Sequence, residues 1–142
     1  MIALKIKEIM TTDVRTVSAN DSISEAANIM KQLDVGAVPV VDNNILVGIV
    51  TDRDLVLRGL AVGKNSNERV SNIMTKDITT VTPDMDIHKV ADIMASKQIR
   101  RLPIVENNQL VGIVSIGDMA VEDIYENEAG EALHTISMGV RH

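Results

Sequence analysis

The chain has 142 residues, 45% hydrophobic and 24% charged, which excludes a disordered tail and leaves one ordinary domain or two very small ones. Its net charge of −6, from 14 basic and 20 acidic residues, opposes nucleic-acid binding, where phosphate neutralisation supplies most of the affinity. It has no cysteine, so it has no disulfide, thiolate metal site or Cys nucleophile, and no apolar run approaches the roughly 20 residues that cross a bilayer.

The absence of cysteine fits a reducing cytoplasm, and the start Met1-Ile2-Ala3-Leu4-Lys5 lacks the apolar stretch of a signal peptide. A soluble protein that needs no membrane is expected. With one Tyr, no Phe and no Trp, the core must be built from Ile, Val, Leu, Ala and eight Met.

In chain order, Thr16-Val17-Ser18-Ala19 is the first short β signal. A helix follows, with Ile23, Ala26, Ala27, Met30 and Leu33 on one face and Ser22 with Glu25 as a capping box. Two β-rich runs, AVPVVD and ILVGIVT, are joined by Asn43-Asn44, a hairpin signal because Asn tolerates positive φ. A second helix begins near Arg53 and stops around Gly63, before the polar stretch GKNSNER.

The same order then recurs. Slid by 64 residues, positions 9–56 fall on 73–120 without a gap and with 20 identities in 48 pairs. The second helix stripe reads Ile87, Val90, Ala91 and Met94, and the second hairpin turns at Asn107-Asn108. The expected fold is α/β (α+β): two β-α-β-β-α repeats related by a pseudo-twofold axis. The expected division is 1–62 for the first repeat with its N-terminal segment, 63–69 for the linker, 70–126 for the second repeat, and 127–142 for a helix and tail.

Chemistry should lie where both copies agree at special places. Gly48-Ile49-Val50-Thr51-Asp52-Arg53-Asp54 matches Gly112-Ile113-Val114-Ser115-Ile116-Gly117-Asp118 as strand passes into helix. A hydroxyl at a helix start sits among unpaired N–H groups and suits an anion, and a carboxylate one turn later suits a diol. The same spacing fits a plain helix cap, with Thr51 or Ser115 as N-cap and Asp54 or Asp118 at the third position. Gly48 and Gly112 fit either close ligand approach or a bulge. Spacing leaves both pairs of readings open.

These residues, with the repeated "IMT.D..TV", "A..IM", "PVVD"/"PIVE" and "LVGIVTDRD"/"LVGIVSIGD", resemble a tandem pair of cystathionine-β-synthase (CBS) domains, a Bateman module, over residues 5–124. Stand-alone bacterial proteins of this type are similar in length and in the GEALHTIS ending. The resemblance implies a regulatory, ligand-sensing module and not an enzyme. Its regulatory ligand would be an adenine nucleotide (AMP, ADP or ATP), with S-adenosylmethionine ranking behind, bound in clefts between the repeats.

By the same resemblance, Thr51 and Ser115 would meet phosphate, and Asp54 and Asp118 would hold ribose. Arg100 and Arg101 would serve the Asp54 cleft, whereas Gly36 and Ala37 bring no charge to the other. Adenine would lie near Ser18, Ile23 and Val38 in one cleft and near Thr82, Ile87 and Leu102 in the other. A disc-like homodimer is implied, and the apolar run Leu55, Val56, Leu57, Leu60, Ala61 and Val62 fits one. A regulated protein partner would complete the system. The competing reading is a dimerisation and protein-interaction module with no small ligand.

The remaining candidates are bland. His88, His134 and His142 share no metal spacing, so no metal is expected. Tyr125 is read as a half-buried residue near a helix end.

Overall fold

The computed structural model describes residues 4–121. The expected 127–142 helix and tail, Tyr125, His134 and His142 lie outside them. The fold is mixed α+β and divides into two compact units, each described by itself.

The first unit comprises Arg15–Ile78 with Asn108–Leu110. β1 (Val17–Ser18) runs parallel to β2 (Ala37–Asp42), and β2 pairs antiparallel with β3 (Ile45–Thr51). Asn43 and Asn44 make the turn at φ 52° and 68°, the left-handed pair that a tight hairpin demands. α1 (Ile23–Leu33) buries Ile23, Ala26 and Met30. Ala27 and Leu33, expected on the same face, are exposed. Ala27 lies roughly 70° round the helix from the middle of the buried stripe, and Leu33 is the last helical residue.

Ser22 caps α1 by accepting from the Glu25 N–H at 3.2 Å. Two further unpaired N–H groups of that helix start, on Ile23 and Ser24, donate to the carbonyls of Glu68 (2.9 Å) and Ser66 (3.2 Å). The polar stretch expected as a plain linker is therefore pinned to α1.

The second unit holds the described residues up to Val14, then Thr79–Asn107, and from Val111 onward. Val81 bridges Ile104 in parallel, as Val17 bridges Val40 in the first unit. α3 (Ile87–Lys97) buries all four expected residues, Ile87, Val90, Ala91 and Met94, and Asp86 caps it by accepting from the His88 N–H at 2.7 Å. β4 (Arg101–Glu106) and β5 (Gln109–Ser115) form the hairpin, with Asn107 and Asn108 at φ 54° and 66°. The unit closes with α4 (Ile116–Val121).

The units cut across the expected chain order. The segment before the first repeat packs in the second unit: Ile6 N–H donates to the Met85 carbonyl, Lys7 N–H to that of Pro83, and Ile87 N–H to that of Leu4. The equivalent segment at 70–75 packs in the first unit, where Val70 N–H donates to Asp21 and Ser71 N–H to Ala19. Ile6 is fully buried among Val81, Ile87, Val90 and Leu102, and Val70 and Ile73 among Val17, Ile23 and Val38. Each such side chain contributes about 1.5–3 kcal/mol by leaving water, so the segments are core elements of their units.

The helix expected from Arg53 to Gly63 is three pieces. α2 (Asp52–Asp54) widens into a π-turn over Leu55–Gly59 and tightens into a 3-10 turn over Leu60–Val62, ending at Gly63 with φ 79°. Gly59 takes the change of pitch at φ −105°, ψ −80°. A Cβ there would lie 3.5 Å from Ile23 Cδ1, an ordinary contact distance, so the turn rests on α1 without needing glycine for space.

Candidate site at the two strand-to-helix junctions

Both hydroxyl–carboxylate pairs form closed capping boxes. Thr51 Oγ1 accepts from the Asp54 N–H at 3.0 Å, and Asp54 Oδ2 accepts from the Thr51 N–H at 3.0 Å. Ser115 Oγ accepts from the Asp118 N–H at 3.1 Å, and Asp118 Oδ2 accepts from the Ser115 N–H at 2.9 Å. The helix-cap reading is thus realised twice. It leaves chemistry over: an accepting hydroxyl keeps its own proton to donate, and a carboxylate holds about four lone-pair positions. The cap uses one carboxylate oxygen and orients the other.

The two carboxylates differ beyond the cap. Asp54 is 7% exposed, and the Thr75 hydroxyl donates to both of its oxygens at 3.2 Å. Arg58 Nε lies 3.7 Å from Asp54 Oδ1, and Arg58 Nη1 donates to the Met74 carbonyl at 3.3 Å. Asp118 is half-buried and has no bond to a described residue beyond the Ser115 cap. Sequence reasoning gave Thr75 and Arg58 no role. Thr75 left a signal in its identity with Thr11 across the repeat. Arg58 left none, because the matching position is Glu122.

Gly48 owes its place to protein backbone. A Cβ on it would meet Met74 Sδ at 2.7 Å and the Thr75 carbonyl at 2.8 Å. One on Gly112 would meet Met10 Sδ at 2.5 Å and the Thr11 carbonyl at 3.0 Å. The bulge reading holds as well in the first unit, where pairing slips from Val40 opposite Gly48 to Val41 opposite Leu46.

The other expected site residues fall into two groups. Ile23, Val38, Ile87 and Leu102 are core side chains, the last two with no exposed surface. Ser18 is half-buried, and its N–H donates to Asp21 Oδ2 at 2.8 Å; Thr82 is exposed. Arg100 is exposed and Arg101 half-buried, and neither pairs with a described carboxylate. The Arg100 carbonyl accepts from the Ile116 N–H at 3.0 Å, as that of Gly36 does from Asp52 at 2.9 Å, so this main chain borders the junction in each unit.

A shallow depression of about 320 Å³ over Ser24, Glu25, Ala27, Asn28 and Lys31 includes none of these residues. Among the described residues no three His, Asp or Glu side chains gather to hold a metal, and no helix is long and apolar enough to cross a membrane.

Known proteins give the pattern its family. The CBS domain model matches residues 6–60 and again 70–123. A CBS domain-containing protein of Bacillus subtilis, YhcV, is 48% identical over 132 residues, covering 93% of this chain and 94% of its own. The crystal structure of Hypoxic Response Protein I with two coordinated zinc ions matches at TM-score 0.76 and 31% identity, over 84% of this chain and 98% of that one. The CBS domain pair of protein MJ0100, crystallised with 5′-methylthioadenosine and S-adenosyl-L-methionine, matches at TM-score 0.72 and 29% identity, over 89% of this chain and 99% of its own. A CBS pair is a regulatory module, and this chain belongs to the CBS-domain family, with two CBS domains in tandem.

Proposed function

We propose that the chain is a cytoplasmic sensor that reversibly binds adenosine-containing ligands of the AMP, ADP and ATP class and releases them unchanged. The observation that carries this reading is the duplicated junction: Thr51 with Asp54 and Ser115 with Asp118 keep the same residue types in the same geometry. In each, the cap holds one carboxylate oxygen and leaves the other for a ribose diol, while the hydroxyl proton stays available to a phosphate. The adenosyl ligands of the MJ0100 pair support the same class. S-adenosylmethionine therefore belongs in any ligand panel.

In this reading Arg100 and Arg101 supply charge to a ligand phosphate, and Ser18 and Thr82 border the adenine. The core residues Ile23, Val38, Ile87 and Leu102 support that edge from beneath. The working form is a homodimer, for which the exposed Val56 (53%), Leu57 (46%), Leu60 (75%) and Val62 (62%) offer an apolar face. Thermal shift and calorimetry against adenosine, AMP, ADP, ATP and S-adenosylmethionine test the function. A ligand-specific stabilisation without product is expected; no binding across the panel overturns the reading.

A further inference from the structure

We propose that Thr75 and Arg58 form a latch that withholds Asp54 from a ribose diol, so that Asp118 is the carboxylate an uncharged adenosine ligand uses first. The inference rests on the adenosine-binding function proposed above and adds an order between its two sites.

The two junctions have the same cap and different surroundings. At Asp54 one oxygen is held by the Thr51 N–H, and the Thr75 hydroxyl shares its single proton between both oxygens. Arg58 closes the remaining side at 3.7 Å from Oδ1 and is itself tied to the Met74 carbonyl. A diol that seeks Oδ1 must displace a hydroxyl and a guanidinium from a carboxylate that is already 93% out of water.

At Asp118 the counterpart of Thr75 is Thr11, an exposed residue whose hydroxyl bonds no described residue. The counterpart of Arg58 in the sequence is Glu122, whose charge cannot pair with a carboxylate. Asp118 Oδ1 is therefore the acceptor left open among the described residues.

The latch also gives ligand binding at Asp54 a structural consequence. Thr75 and Met74 sit on the segment that pairs with β3, so opening the latch loosens that segment's side-chain hold.

Calorimetry with adenosine, which has no phosphate to recruit other cations, tests the order. Wild type should bind one equivalent, and Asp118→Asn should weaken that event by at least about tenfold, since a site built around a ligand hydroxyl discriminates strongly. The double variant Thr75→Val with Arg58→Gln should gain a second event, which adding Asp54→Asn removes. Arg58→Gln alone changes an exposed side chain and serves if the double variant does not fold; it should gain the same event more weakly.

Loss of the wild-type event in Asp54→Asn with retention in Asp118→Asn overturns the order. So does a folded latch variant with no second event. Adenosine binding that is equal at both motifs removes the latch and leaves the sensor function standing. Absence of binding to every adenosyl ligand removes both.

Discussion

Ile49 and Thr75 exchange two backbone hydrogen bonds, of 2.9 and 2.8 Å, across a gap that only glycine at position 48 allows. Gly48→Ala puts a Cβ 2.8 Å from a backbone carbonyl that cannot rotate away, and should cost about 1–3 kcal/mol. Gly112→Ala should cost less, because each site also meets a flexible Met sulfur but the rigid Thr11 carbonyl is 3.0 Å off, against 2.8 Å for that of Thr75. Urea unfolding of the two variants checks the ranking, and equal midpoints would refute it.

Asp54 and Asp118 should separate in stability before any ligand is added. Asp54→Asn removes charged acceptance from two donors at a buried site, where each such bond contributes roughly 1.5–3 kcal/mol. Asp118→Asn weakens a capping interaction of about 1 kcal/mol. Thermal unfolding should show the larger loss in Asp54→Asn.

The helices α1 and α3 end on non-glycine residues in the left-handed region, Asp34 at φ 55° and Gln98 at φ 56°. That conformation costs an L-residue roughly 1–2 kcal/mol, and glycine's extra unfolded-state freedom returns about half of this. Asp34→Gly and Gln98→Gly should each raise stability by about 0.5–1 kcal/mol. A drop in the denaturation midpoint of either would refute the account.

Lys7 and Lys5 bring the N-terminal segment to Asp84, at 3.1 and 3.6 Å. The hydrogen bond from Lys7, then its charge and that of Lys5, hold the Asp84 carboxyl below its ordinary value. A folded-state value below the unfolded one means the stabilisation is present above the unfolded value and is lost as pH falls through the folded one. Carboxyl titration by NMR should place Asp84 low in wild type and closer to an ordinary aspartate in Lys7→Ala. About 1 M salt should shrink that difference, because the groups are exposed.

The apolar face at Val56, Leu57, Leu60 and Val62 gives a test of assembly. Leu60 is 75% exposed, so Leu60→Asp should leave the chain folded while shifting light scattering from dimer to monomer at micromolar concentration. A wild-type monomer would remove the dimer from the proposal.

The sequence by itself determined what depends on neighbours within a turn or a strand. The stripe at Ile87, Val90, Ala91 and Met94, the left-handed Asn pairs and the hydroxyl–carboxylate caps all follow from backbone preference and periodicity, and all stand in the structure. The 64-residue repeat made the β-α-β-β-α order legible twice. Only the tertiary structure decided where the repeated segments go. Ile9-Met10-Thr11 and Ile73-Met74-Thr75 are identical, so no local preference can say which hairpin each one joins. Thr11 pairs with Ile113 and Thr75 with Ile49, each on the strand of the other copy's hairpin. The same path sets Thr75 beside Asp54, 21 residues away, and so makes two matching carboxylates unequal. Pairing across such separations is fixed by the course of the chain and the burial of Ile6, Val70 and Ile73, which residue type and spacing do not encode.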